Sequence, residues 1–173
     1  MTLEDRLRRH GEAVATFIAR AQQIPAVLAA APRAPGKWTP IEEAVHLALI
    51  YREYSAVFGG AAEFTLLVPP DKATHYRGTI LPRILAGNWF PSGAAAPDRV
   101  QPHDRQVTMP TALAQLRSAT DRFHAAAESA ASAGVSKAWM HPYFGPLSLP
   151  DLVDLLTEHA KHHARFLVPS GAG

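Results

Sequence analysis

His159 and His163 stand four residues apart in a segment of helical periodicity, a spacing that brings two imidazoles together on one face. From Ser148 to Leu167 the inward stripe reads Leu152, Leu156, His159, His163, Phe166 and Leu167, while Asp154, Glu158, Lys161 and Arg165 take the opposite side. An imidazole turned toward a core needs a polar partner. A lone one is ordinarily satisfied by hydrogen bonds from its surroundings, whereas two at this spacing can grip one metal ion. A third nitrogen donor would decide between these readings. His46 is placed to supply it, because it shares a helix face with Leu49, Ile50, Glu53 and Val57 and so points inward. Three neutral imidazoles, His46, His159 and His163, leave at least one position open, which is the arrangement of a catalytic rather than a structural site. The donor set suits a divalent ion, zinc or nickel first, with iron or manganese also compatible.

Other side chains compete for roles. His162 lies about 100° round the helix from His163 and reads as a bundle-edge residue, with second donor or alternative ligand as the other readings. His141, before Pro142, either caps a helix end or reaches the site from a loop. Glu42 suits a helix cap, and either Glu42 or Glu43 is a candidate fourth ligand. Glu53, two turns beyond His46, is about 10 Å away along the axis and too far to share its ion. Trp38, Trp89, Trp139, Tyr143 and Phe144 either line a pocket mouth or pack helix ends. His10, His75, His103 and His124 show no partner pattern. Ala160 occupies the place where an H-E-x-x-H protease helix carries its glutamate, so the helix brings no general base of its own.

Four long helices and one long crossing must position these groups. The first begins after Thr2, carries Leu3, Leu7, Val14, Phe17 and Ile18, and fades near Gln23 because Pro25 cannot continue it. The second is announced by Thr39 as N-cap, Pro40 in the first turn and Glu42 closing a capping box, and it runs to about Phe58 before Gly59-Gly60. The third starts near Thr108 to Pro110 and passes through Leu113, Leu116, Thr120, Phe123 and Ala127 to about Ala133. The fourth has Ser148 as N-cap with Asp151 three residues on, and Pro169 marks its end. Between the second and third, residues 59–107 carry six prolines and one predicted short helix, Tyr76 to Leu85, interrupted by Pro82. A crossing of this length lets helices two and three run parallel. The expectation is an all-α, up-down-down-up four-helix bundle in which the start of helix two, with His46, lies beside the end of helix four. One domain over residues 1–168 and a flexible tail over 169–173 follow from this reading.

Composition excludes several functions. With 173 residues and 47% hydrophobic content the chain suits one domain with a sizeable core. It has no cysteine, so disulfides, thiolate ligands and a cysteine nucleophile are absent, which is compatible with a cytoplasmic setting. No segment has the apolar run of a signal peptide or a membrane span. A net charge of +2, with Arg6, Arg8 and Arg9 as the densest basic group, reads as a solvated helix face rather than a nucleic-acid footprint.

Three stretches taken together resemble the DinB-like (YfiT-type) superfamily: Gly-Lys-Trp-Thr-Pro-Ile-Glu-Glu-Ala-Val-His at 36–46, His-Pro-Tyr-Phe-Gly-Pro-Leu-Ser at 141–148, and the final His-x-x-x-His. Each is modest alone, and their order and spacing carry the likeness, which spans most of the chain. The resemblance implies a four-helix bundle, often dimeric, that binds a divalent metal through histidines mapping to His46, His159 and His163. It also implies activation of a low-molecular-weight thiol, as in mycothiol-dependent maleylpyruvate isomerases and bacillithiol transferases, or metal-dependent hydrolysis. DNA chemistry is not implied. The expected function is a metal-dependent transferase or hydrolase acting on a small electrophile, and the expected assembly is a homodimer. A non-catalytic, stress-related bundle that binds metal or a small ligand is the alternative, and a bundle without metal is the third reading.

Overall fold

The computed structural model describes residues 1–87, 89–91, 93–103, 106–134 and 138–167. Its long helices are α1 (Leu3–Gln22), α3 (Pro40–Phe58), α6 (Met109–Ser132) and α7 (Leu149–Arg165), with short helices α2 (Ala26–Ala29), α4 (Pro70–Thr79) and α5 (Leu81–Leu85) between them. A 3-10 turn, Asp98–Val100, and an antiparallel hairpin of β1 (Trp139–His141) and β2 (Gly145–Leu147) complete it. The expected end signal at Pro169 and the tail at 169–173 lie outside the described residues.

The helix starts follow their sequence signals. Thr39 accepts from the Glu42 amide while the Glu42 carboxylate accepts from the Thr39 amide at 2.8 Å, a full capping box that satisfies two otherwise unpaired donors. Thr2 and Asp5 do the same for α1. Ser148 accepts from the Asp151 amide and donates its hydroxyl to the Asp151 carboxylate, so α7 has a side-chain cap without the reciprocal backbone bond.

Packing sorts the long helices into pairs. Arg6, near the start of α1, pairs with Asp154 near the start of α7, and Arg20, near the end of α1, donates to the Ala164 carbonyl near the end of α7. Those two helices therefore run in the same direction. Helices α3 and α6 pack closely against each other and together line a surface groove that includes Ala48 and Arg52 from one and Gln115 and Arg122 from the other. One core joins them, with Phe17, Leu47, Tyr51, Leu116, Phe123 and Leu152 fully buried. No helix among the described residues is long and apolar enough to cross a membrane.

The crossing holds more structure than its prolines suggest. The expected short helix at Tyr76 to Leu85 begins earlier, at Pro70, where proline suits a first turn, and it divides at Ile80 into α4 and α5. The stretch before Ser148, where the sequence pattern predicts a loop and no regular element, forms the hairpin, with Trp139 opposite Leu147 and His141 opposite Gly145. Gly145 has φ +70°, a conformation costly for residues with a Cβ. The crossing is tied to this hairpin by Leu67 N donating to Pro142 O at 2.9 Å, by Arg77 reaching the Phe144 and Pro146 carbonyls, and by the Tyr143 hydroxyl on Ala95 O.

Candidate metal centre

His46, in the second turn of α3, and His159 and His163, in the last two turns of α7, form one cluster. Each offers one nitrogen, and the three lie within 4.8 Å of one another. The structure thus brings together all three residues that the sequence reading singled out. His46 and His163 are buried, and the His159 ring is edge-on to both, 5.3 Å from His46 and 4.6 Å from His163 between centroids.

Hydrogen bonds select which nitrogens face inward. His46 Nδ1 lies 2.7 Å from the Val100 carbonyl, and only an Nδ1–H can make that bond, which leaves Nε2 as a lone pair. The 3-10 turn that carries Val100 is itself held by Arg99, whose guanidinium meets the Glu53 carboxylate at 3.1 Å and donates to the Glu63 carbonyl. His159 Nε2 and His163 Nε2 face each other at 3.0 Å. Two lone pairs cannot share that distance without a proton or a cation between them. In a three-imidazole site with bonds near 2.1 Å, ligand nitrogens stand about 3.0–3.4 Å apart, so this pair already has ligand spacing. A bridging proton on His163 Nε2 would turn its Nδ1 into an acceptor, yet among the described residues that buried Nδ1 has no hydrogen-bond donor and faces the Glu43 carboxyl at 3.9 Å, whereas a proton on His159 Nε2 leaves His163 with Nδ1–H, the tautomer a ligand through Nε2 needs. The donor set and its tautomers fit a divalent ion.

Electrostatics points the same way. Burial, opposed by the Val100 hydrogen bond, pushes His46 down to about 4. Burial, then the neighbouring imidazoles, holds His159 and His163 well below the ordinary histidine range. All three are therefore neutral donors near pH 7. Burial, opposed by Arg33, raises Glu43 to about 7.

The competing residues fall into place around the cluster. His162 stays outside it, wedged between Phe90 at 4.7 Å and Phe166 at 4.9 Å, at the bundle edge as expected. His141 accepts from the Tyr143 amide through Nδ1 and stacks on Phe144, closing its own hairpin turn rather than capping a helix. Glu42 is spent on the α3 cap. Glu43 stands on the Nδ1 side of His163, away from the facing Nε2 atoms, so it is not placed as a fourth ligand. Among the aromatic candidates Trp38 packs on the cluster, 4.5 Å from the His46 ring and 6.4 Å from that of His163. Trp139 packs on Phe58, and Trp89 lies under Arg83.

Sequence reasoning missed Phe90, which stacks on His159 at 5.2 Å, and the Val100 carbonyl. It also left His10 and His124 without partners, whereas the structure pairs them at 2.9 Å between α1 and α6. Two surface cavities of about 390 and 320 Å³ lie away from the cluster, one between α1 and α7 and the other between α3 and α6.

Comparison with known proteins adds a family. The family model described as the DinB superfamily matches residues 9–167, a span that contains the whole histidine cluster. No curated protein and no solved structure matches the chain significantly.

Proposed function

This chain belongs to the DinB superfamily, and we propose that it is a metal-dependent transferase or hydrolase in which His46, His159 and His163 hold one divalent ion through their Nε2 atoms. The observation that carries this reading is the 3.0 Å approach of two inward Nε2 atoms beside a third whose tautomer Val100 has set. An ion held there would lower the pKa of a thiol or a water brought to it, which makes either a nucleophile near neutral pH. Because the chain has no cysteine, a thiol would arrive as a cosubstrate. The chain's own residues hold the imidazoles neutral by burial, fix their orientation and wall the cluster with the rings of Trp38 and Phe90. Such walls exclude bulk water and strengthen every charge interaction inside.

The test is an assay of metal-loaded protein against a panel of small electrophiles, with several cellular thiols and with water alone. Turnover should require the metal and disappear in His159→Ala. No metal-dependent turnover anywhere in the panel would reject the catalytic reading. One observation favours a second reading, a non-catalytic metal-binding bundle: Trp38 lies against two of the three imidazoles. Under that reading Trp38→Ala binds metal but remains without turnover, whereas in an enzyme gated by this ring the same substitution alters KM for the larger electrophiles.

A further inference from the structure

Among the described residues, two buried polar atoms at the edge of the histidine cluster lack hydrogen-bond partners, and they face each other. One is Nδ1 of His163 and the other is Oε2 of Glu43, 3.9 Å apart. Glu43 sits one turn before His46 on α3 and is 3% exposed, while His163 belongs to α7. Its second carboxylate oxygen, Oε1, meets the Arg33 guanidinium at 3.3 Å. Arg33 is anchored in turn, with its guanidinium carbon 3.6 Å above the Phe166 ring just beyond the end of α7. A carboxylate this deep is costly unless both oxygens have donors. Arg33 satisfies one, and the imidazole edge of His163 faces the other.

We propose that Glu43 is a positioning residue for the metal centre, accepting a hydrogen bond from His163 Nδ1–H while Arg33 holds its other oxygen. The inference rests on the metal-site reading given above. A ligand that binds through Nε2 must carry its proton on Nδ1, and that proton needs an acceptor where water does not reach. Glu43 is that acceptor once the two atoms approach by about 1 Å to ordinary hydrogen-bond length. His46 already has the equivalent arrangement, with the Val100 carbonyl as its acceptor. The two ligands are thus oriented by different devices, a backbone carbonyl for one and the Arg33-paired carboxyl of Glu43 for the other. When ionised, that carboxyl also makes His163 the more basic donor of the two. Glu43 therefore acts through His163 and not on the reacting atoms.

The test compares wild type, Glu43→Gln, Glu43→Leu and Arg33→Gln for Co(II) and Zn(II) binding by chelator competition, for the absorption spectrum of the Co(II) form, and for the imidazole N–H proton signals of the Zn(II) form. Glu43→Leu should keep its helical signal and one-to-one stoichiometry but lose affinity by about 10–100-fold, the usual effect of removing an oriented ligand's partner. The same variant should shift the Co(II) spectrum and lose one slowly exchanging imidazole proton. Glu43→Gln, which retains an acceptor, should recover most of the affinity, and Arg33→Gln should lose affinity in the same direction by less. A role limited to folding would lower the apo melting temperature and leave affinity and spectrum unchanged in variants that remain folded, and that result would overturn the inference. Wild type that takes up no metal would overturn the site itself along with it, whereas tight wild-type binding matched within twofold by Glu43→Leu would overturn only the role of Glu43.

Discussion

Acid should destabilise this protein through a histidine that lies outside the metal centre. His10 is completely buried, with Nδ1 2.9 Å from His124 Nε2, a partnerless Nε2, and its ring 4.7 Å from that of Tyr51 and 5.1 Å from that of Phe123. Burial first and the charge of His124 second hold it down to about 3, against 6.5 in an unfolded chain. The sign follows from which state takes up the proton. As pH falls through 6.5 the unfolded chain protonates His10 while the folded one does not, so stability is lost from there down to the folded value near 3. Near pH 5 the folded ring is still neutral, and the loss amounts to about one and a half decades of proton activity at 1.36 kcal/mol each, about 2 kcal/mol. That figure barely depends on the folded value so long as it lies below about 4.5. Urea unfolding of metal-free wild type and His10→Leu, each near pH 7.5 and near pH 5, reads this contribution, with His124→Gln as a third protein to separate the effect of losing the paired imidazole from that of the other histidines. Wild type should lose about 2 kcal/mol more than His10→Leu between the two pH values. Equal losses in wild type and His10→Leu would show that His10 is reached by solvent or protonated in the folded state, and the burial argument would fail.

The remaining predictions concern the centre and the core beneath it. His46→Ala and His159→Ala should each abolish stoichiometric metal uptake, read by elemental analysis, while the far-UV helical signal persists; unchanged metal in both would reject the assigned ligands. Free divalent metal at a hundred times its Kd should stabilise wild type by about 2.7 kcal/mol, seen as a concentration-dependent Tm that His159→Ala lacks. Phe123→Ala, which empties a fully buried site against Tyr51 and Phe58, should cost about 3–5 kcal/mol in urea unfolding, since a bundle core closes incompletely over a lost ring.

What could be read in advance depended on the distance over which each signal acts. Thr39, Pro40 and Glu42 announce the start of α3 because a cap is a contact between residues three apart, and the same holds for Thr2 with Asp5. The His159 and His163 pair is legible for the same reason, and His46 joins it because its face is shared with aliphatic residues of its own helix. The hairpin escaped notice because strands of three residues, one interrupted by Pro146, are too short to show alternation. The pairing of His10 with His124 spans α1 and α6, and no local period announces a contact between residues 114 apart.

The crossing is the more instructive case. Its length and prolines forecast only that the chain returns across the bundle, yet two of its residues orient or cover the cluster. Val100 does so with a backbone carbonyl, a group that every residue possesses and that no side-chain type can betray. Phe90 does so with a ring that, without the fold, is one more aromatic in a proline-rich stretch. Glu43 shows the converse, since its charge was visible but its partner was not. A carboxylate beside a helix start ordinarily serves the helix, and here Glu42 had already filled that role, which frees the next residue to turn inward toward His163. The three candidate ligands are thus written in local periodicity, whereas the groups that orient them are set by packing between distant segments. A search for relatives with the same chemistry should therefore weigh an acid next to the capping glutamate as heavily as the histidines, because a bundle that keeps the three imidazoles and loses that acid retains the donors without the charge that aims one of them.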